Sequence, residues 1–204
     1  NLFTVDNIAP TSLRYSSFTT ERAINSVYGL ANFGFNDLLY LDVTARNDWS
    51  STLPVDNRSY FYPSASLSLL INELVDIPKV ELLKLRGGWA RVGNDTSPYQ
   101  LDAYYNNSGQ WENAVLYSAE GGLNSPNLEP EEATSQEFGL DLSLFQNRVR
   151  FEGTYYMVEN RNQIVPNIPI PGSSGYNSVS INAGVLESKG FELSLGLTPV
   201  RTDT

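Results

Sequence analysis

The sequence contains no cysteine, no histidine and a single methionine. Without cysteine there is no disulfide framework and no thiolate metal site. Without cysteine or histidine, Ser–His–Asp and Cys–His catalysis and the His/Cys sets that hold zinc are closed to the chain. Charge is also scarce: charged residues make up 18% of the chain, and 13 Lys and Arg face 23 Asp and Glu for a net charge of −10. The densest basic stretch is Arg148-Val149-Arg150. Gripping a phosphate backbone needs clustered cations, so nucleic acid is excluded as a partner. No GxxxxGK[ST] or GxGxxG run occurs, and Gly87-Gly88 and Gly93 are spaced wrongly for a phosphate loop. No apolar run reaches the roughly eighteen residues of a transmembrane helix. Two acidic groupings remain. Glu129, Glu131 and Glu132 have the residue types for glycoside cleavage, but loop carboxylates are usually solvated. Asp48, Asp56, Asp95 and Asp102 lack the spacing of a calcium loop. No enzymatic activity, catalytic residue, cofactor or metal is expected.

Aromatics are plentiful, at 12% of the chain with twelve Tyr, nine Phe and three Trp, and 41% of residues are hydrophobic. The dominant pattern is alternation with period two, which puts alternate side chains on opposite faces of a strand. Leu39, Leu41, Val43 and Ala45 share one face, and Tyr40, Asp42, Thr44 and Arg46 the other. Phe138, Leu140, Leu142 and Leu144 alternate with Glu137, Gly139, Asp141 and Ser143, and Phe191, Leu193, Leu195 and Leu197 with Glu192, Ser194, Gly196 and Thr198. The same rhythm predicts seven strands, at about 23–35, 38–48, 60–71, 81–92, 133–145, 148–161 and 184–198. Most run about ten residues or more. Globular strands run about five or six, whereas a tilted membrane-spanning strand needs about nine to eleven.

The connections alternate in length. Asn36-Asp37 and Gln146-Asn147 are two-residue turns and 72–80 is a medium link with room for one helical turn, whereas 49–61, 93–132 and 162–183 are long. Outer-membrane barrels pair short periplasmic turns with long outer loops in this way, and carry aromatic girdles at the interfaces. The expected fold is therefore all-β: an antiparallel up-and-down transmembrane β-barrel, incomplete at about seven strands. Residues 1–204 are expected to be a piece of one barrel domain within a longer chain. Alternating strands also build soluble sandwiches, so a soluble or surface-exposed β-rich glycan-binding module stays open as the alternative, with a passive porin third.

Specific residues favour the barrel. Arg46-Asn47-Asp48-Trp49-Ser50-Ser51 with Tyr60-Phe61-Tyr62-Pro63-Ser64 resembles the "RxDxSS…YFPSxS" stretch of SusC/RagA-type TonB-linked outer-membrane proteins. Leu83-Lys84-Leu85-Arg86-Gly87-Gly88-Trp89 leading to Val92-Gly93-Asn94 is similar to that family's "LKLRxSxGxxGN" strand. Asn127-Leu128-Glu129-Pro130-Glu131 through Asp141 resembles "NPxLKPExxxSxExGxD", and Asn182-Ala183-Gly184 with Lys189-Gly190-Phe191-Glu192 resembles "NxGxxxNKGxE". Four motifs in order cover about residues 40–200, with modest departures such as Tyr62 between the usual Phe and Pro and Trp49 after the Asp.

The resemblance implies a wall segment of an outer-membrane importer in a Gram-negative bacterium. It further implies a plug inside the barrel, drive from the TonB complex through an N-terminal region absent here, and a SusD-like lipoprotein lid. The cargo would be an oligosaccharide or peptide, with lipid around the wall. On the residues themselves, Trp49, Tyr99, Tyr104, Tyr105, Trp111 and Tyr117 are candidates for substrate or partner contact, since flat rings beside Asn106, Asn107 and Gln110 suit a glycan or peptide. Packing of the long loop is the plainer role. Asp42, Arg46, Lys84, Arg86, Asp141, Arg150, Glu152 and Glu192 are candidates for the lumen or plug face.

Overall fold

The computed structural model describes residues 19–112 and 114–200, so the barrel piece expected over 1–204 extends at both termini beyond the described residues. Twelve strands form: β1 (Ile24–Phe35), β2 (Leu39–Ser50), β3 (Ser59–Leu70), β4 (Val80–Asn94), β5 (Tyr105–Trp111), β6 (Ala114–Ala119), β7 (Gly122–Leu123), β8 (Glu131–Leu144), β9 (Val149–Arg161), β10 (Ile164–Pro169), β11 (Ser178–Asn182) and β12 (Val185–Leu197). Seven of them build one antiparallel sheet in the order β1-β2-β3-β4-β8-β9-β12. These are the seven strands predicted from the alternation, each within about two residues of its expected ends. The long links are not structureless. The 93–132 stretch holds the β5–β6 hairpin and β7, and β10 and β11 of the 162–183 stretch join β7 in a second small sheet.

Turn chemistry fixes the short-turn end. Asn36 and Asp37 (φ 49° and 55°), and Gln146 and Asn147 (φ 58° and 63°), take the left-handed conformation at both central positions. That is the twist a tight hairpin between right-twisted strands requires. Leu38 N–H closes the first turn on the Phe35 carbonyl at 3.0 Å, and Arg148 N–H closes the second on Phe145 at 3.3 Å. In the medium link, Ile71–Glu73 forms a single 3-10 turn.

Register keeps like with like. Directly paired residues share a face, and Leu41 lies opposite Phe33 and Leu67, Leu85 opposite Leu69 and Leu140, and Phe151 opposite Leu142 and Leu195. The other face pairs Asp42 with Asn32 and Ser66, Lys84 with Asp141, and Glu152 with Asp141 and Ser194. The apolar face is uncovered even in mid-sheet: Phe138, on a strand with neighbours on both sides, is 59% exposed. In water each such large side chain would forgo about 1.5–3 kcal/mol of burial. A hydrocarbon environment removes that penalty, and strand pairing satisfies the backbone as such an environment demands.

Toward the long-loop end the same face changes character. A row of aromatics, Trp89, Phe138, Tyr155 and Phe191, closes the apolar band, with the Tyr155 and Phe191 rings 4.8 Å apart. Beyond it stand Arg91, Glu132, Glu159, Arg161, Glu187 and Lys189, with ion pairs Arg91–Glu132 at 3.6 Å, Lys189–Glu187 at 3.2 Å and Arg161–Glu159. Among the described residues the buried hydrophobic cluster is small, comprising Leu53, Tyr60 and Leu128 with Tyr62, Leu101 and Ile164 against it, and it sits at this end.

Candidate functional site

Two buried carboxylates tie the long-loop end together. Asp48, near the end of β2, accepts Arg46 Nε at 2.8 Å and the Tyr62 hydroxyl. The Arg46 guanidinium lies 5.7 Å from the Tyr62 ring centre and also donates to Ser26 Oγ at 2.9 Å. Tyr62 in turn stacks on Tyr60 at 5.8 Å. Asp95, one residue past β4, accepts Thr52 Oγ1 at 2.9 Å, Arg22 Nε at 3.1 Å, the Ser50 hydroxyl and a second Arg22 nitrogen. Gly93 lies under Tyr60, so close that a β-carbon there would stand 2.3 Å from the ring. The Arg46–Ser51, Tyr60–Ser64 and Val92–Asn94 motifs thus build one rim.

A second tie runs through Asn182. Its carbonyl oxygen accepts Glu129 N–H at 2.8 Å, and its amide donates to the Glu129 and Asn162 carbonyls, both at 2.8 Å. Asn162 Nδ2 reaches Glu129 Oε2 at 2.9 Å, Ile164 N–H reaches Glu131 Oε1 at 2.9 Å, and Asn57 Nδ2 reaches the carbonyl of the fully buried Leu128 at 3.3 Å. Glu129 and Glu131 are engaged in loop architecture, and Glu132 pairs with Arg91. Asp48 and Asp95 are committed to their arginines, and no group of three potential metal-ligating residues gathers among the described residues.

Above this rim opens a cleft of about 550 Å³, between the end of β4, the 120–124 segment and β10–β11. Its wall carries the carboxamides of Asn94, Gln100, Asn124 and Asn167, the hydroxyls of Thr96, Ser97 and Ser180, and the apolar Ile164 and Pro166. Glu120, Glu131, Gly122 and the Arg22-paired Asp95 complete it. Asn94 Nδ2 is held by Glu131 Oε2 at 3.0 Å, and Asn124 Nδ2 by the Asp102 carbonyl at 2.7 Å. Neither Gln100 nor Asn167 takes a side-chain hydrogen bond among the described residues. Asn167 sits with Pro166 in a bulge of β10 that opposes Ser180, and holds a left-handed φ of 58°.

None of the six candidate aromatics lines this cleft. Tyr105, Trp111 and Tyr117 stand on the β5–β6 hairpin, where Trp111 is 70% exposed. Tyr104 donates its hydroxyl to Glu120 at 2.8 Å, and that carboxylate holds the phenol above its usual range. Tyr99 touches the N-terminal approach, accepting Glu21 N–H at 3.2 Å. Trp49 lies between Asn25 and Ser59 on the apolar side of the sheet, opposite to the face of Asp48. Asn94, Asp95 and Glu131 stand out in the sequence for other reasons, but the cleft as a site does not, because its residues come from three separated segments. The available signal was the high density of Asn, Ser and Thr at 94–97 and of Asn at 167 and 182.

On the polar face, Arg86 lies across Gly139, donating from Nε to Asp141 Oδ1 at 3.2 Å and from Nη2 to Thr154 Oγ1 at 2.7 Å. Lys84 joins the same carboxylate at 3.5 Å. Asp42 accepts Asn32 Nδ2 at 2.5 Å and Ser66 Oγ at 3.4 Å, and Arg46 belongs to the rim. Arg150, Glu152 and Glu192 share this face by register, and none takes an ion pair or side-chain hydrogen bond among the described residues.

A two-faced sheet with an open apolar band between an aromatic row and short turns is the geometry of a barrel wall. The family model described as "TonB dependent receptor-like, beta-barrel" matches residues 2–200. The chain belongs to this family. TonB-dependent receptor P26 of Formosa agariphila is 32% identical over 205 residues, covering 98% of this chain and 21% of that protein. The RagAB peptide transporter superposes with a TM-score of 0.78 at 27% identity, over 85% of this chain and 20% of the matched one. The RagAB peptide importer in its "closed-closed" state gives 0.82 at 24% identity over 98% and 23%, a likeness of fold. The chain therefore spans about a fifth of the length of these relatives. Its family is one of outer-membrane barrels, receptors and transporters rather than enzymes, and the SusC/RagA resemblance read from the motifs agrees with the RagAB likeness.

Proposed function

We propose that residues 1–204 are part of the barrel domain of an energised outer-membrane importer, with the seven long strands as its wall. The apolar face meets lipid, and the polar face with Arg150, Glu152 and Glu192 meets the lumen and a plug. The rim and cleft face the outside. The observation that carries this reading is the uncovered apolar band, bounded by the row Trp89, Phe138, Tyr155 and Phe191 and then by ion pairs. The peptide-carrying RagAB neighbours support cargo of peptide size, an oligosaccharide or peptide, captured with a SusD-like lipoprotein lid. Drive would come from the TonB complex through the N-terminal region of the longer protein. Wall charges that are already neutralised, such as Arg86 and Asp141, hold neighbouring strands together. The unpaired ones are available to the plug.

The test uses the full-length gene in its own bacterium. Expected results are outer-membrane fractionation, slower gel migration after boiling than before, and loss of uptake of short peptides or oligosaccharides when either this gene or TonB is deleted. A product found in the soluble fraction, or uptake indifferent to TonB, would overturn the reading.

A further inference from the structure

Resting on that reading, the structure assigns the cleft a charge preference: we propose that it is a recognition subsite for an uncharged stretch of peptide main chain, and that it excludes anionic ligands. Three observations converge. First, the free polar groups of the wall are carboxamides and hydroxyls. Gln100 and Asn167 have no partner of their own among the described residues, and Thr96 and Ser97 stand beside them. A carboxamide offers one donor side and one acceptor side, the complement of a peptide unit's C=O and N–H. Second, among the described residues no Lys, Arg or aromatic ring lines the cleft. A carboxylate, sulfate or phosphate brought there would lose water with no counter-ion to replace it. A sugar ring would find no flat apolar face, while Ile164 and Pro166 offer a small apolar notch for a side chain.

Third, the two long-loop segments that supply most of the wall hold no cation, and the Arg22 that reaches the wall from outside them is already paired with Asp95. Between Asn94 and Pro130 the chain has Asp95, Asp102, Glu112, Glu120 and Glu129 but no Lys or Arg, and Gln163–Asn182 has no charged residue at all. Glu120 and Glu131 stand in the cleft wall itself, each already accepting a hydrogen bond. Besides their structural hydrogen bonds they would repel an anion in the cleft, since exposed charges act within about a Debye length of 8 Å. The bulge at Pro166-Asn167 aims the Asn167 side chain. Such a bulge re-directs a residue at the expense of ladder pairing, and one in left-handed conformation marks a constrained position.

The full-length transporter, purified with its co-purifying lipoprotein, is titrated with hexapeptide pools of net charge −3, 0 and +3 and with neutral malto-oligosaccharides. The neutral pool is expected to bind at least tenfold more tightly than the anionic pool. Asn167→Gly keeps the left-handed backbone while removing the carboxamide; combined with Gln100→Ala it is expected to weaken the neutral pool at least tenfold. Gln100→Lys is expected to recover anionic binding severalfold. Equal affinity for anionic and neutral pools, unchanged binding by the double variant, or cleft-dependent binding of oligosaccharide in preference to peptide would each overturn the proposal. So would failure of every pool to bind a protein that is correctly inserted. Loss of outer-membrane localisation or of TonB dependence would instead overturn the transporter reading beneath it.

Discussion

Leu195 offers the sharpest test of which face meets lipid. It lies on β12 opposite Phe151, one pair from Leu197 and two from the Phe191 row, and is 64% exposed. If this face contacts hydrocarbon, Leu195→Arg places a guanidinium well inside the apolar band. The cost there is about 2–4 kcal/mol near the bilayer midplane, which at about 1.4 kcal/mol per tenfold is roughly 30- to 700-fold in the folding equilibrium. The adjacent Ser194 points to the other face, opposite Glu152, which has no ion pair among the described residues. Ser194→Arg is therefore expected within about 0.5 kcal/mol of the parent, the usual range for a tolerant surface site. The assay is urea titration of the full-length protein refolded into phospholipid vesicles, followed by intrinsic fluorescence and by gel migration. The neighbours differ by one residue, so helical content, net charge and chain length are matched. Equal destabilisation by the two arginines, or a larger effect at Ser194, would refute the assignment of faces.

Gly93→Ala drives a β-carbon to 2.3 Å from the Tyr60 ring, and is expected to cost about 1–3 kcal/mol as overpacking. Tyr60→Leu should relieve much of that, which a double-mutant cycle in thermal melts will show. Asp95→Asn removes the negative charge facing Arg22 and leaves one carbonyl oxygen where two oxygens accept Arg22, Ser50 and Thr52. With the Arg22 side chain 46% exposed, the loss is expected near about 1–2 kcal/mol, less than for a fully buried pair, with faster amide exchange confined to 95–100. Single-tryptophan versions will separate the interface from the outer loops. Brominated lipid should quench Trp89 strongly and leave Trp111, on the exposed hairpin, accessible to iodide; the opposite pattern would invert the orientation.

The sheet was legible because its information is local. A period-two rhythm such as Phe191-Glu192-Leu193-Ser194-Leu195 states both the strand and its two faces, and Asn36-Asp37 states the turn. Glu129, by contrast, looked like an ordinary solvated loop carboxylate, and only its bond to Asn162 and the grip of Asn182 on its backbone reveal a structural part. Parity alone would also have placed Trp49 on the apolar side with Leu39 and Leu41, away from the candidates beside which it was grouped. The cleft was not legible. Gln100, Asn124 and Asn167 meet through the parallel pairing of β7 with β11 and the bulge in β10, contacts set by tertiary packing rather than by any neighbouring sequence pattern. Tyr105 and Tyr117, candidates by residue type, stand on the β5–β6 hairpin and not in the cleft wall.

The outward run of β4 past its aromatic row has a geometric consequence. From Trp89 to Asn94 is five residues of continuous strand, about 17 Å at the rise of a strand. This outward run is a stiff collar, in step with β8 across every residue from Lys84–Asp141 to Asn94–Glu131. Of the cleft wall, Asn94 and Glu131 stand on this ladder and are held in height by its backbone hydrogen bonds. On the proposed reading, a lid would have to meet the cleft at the level of Asn94 and Glu131, and release toward the lumen would fall to the lid or the plug, because the collar itself has little freedom to bend.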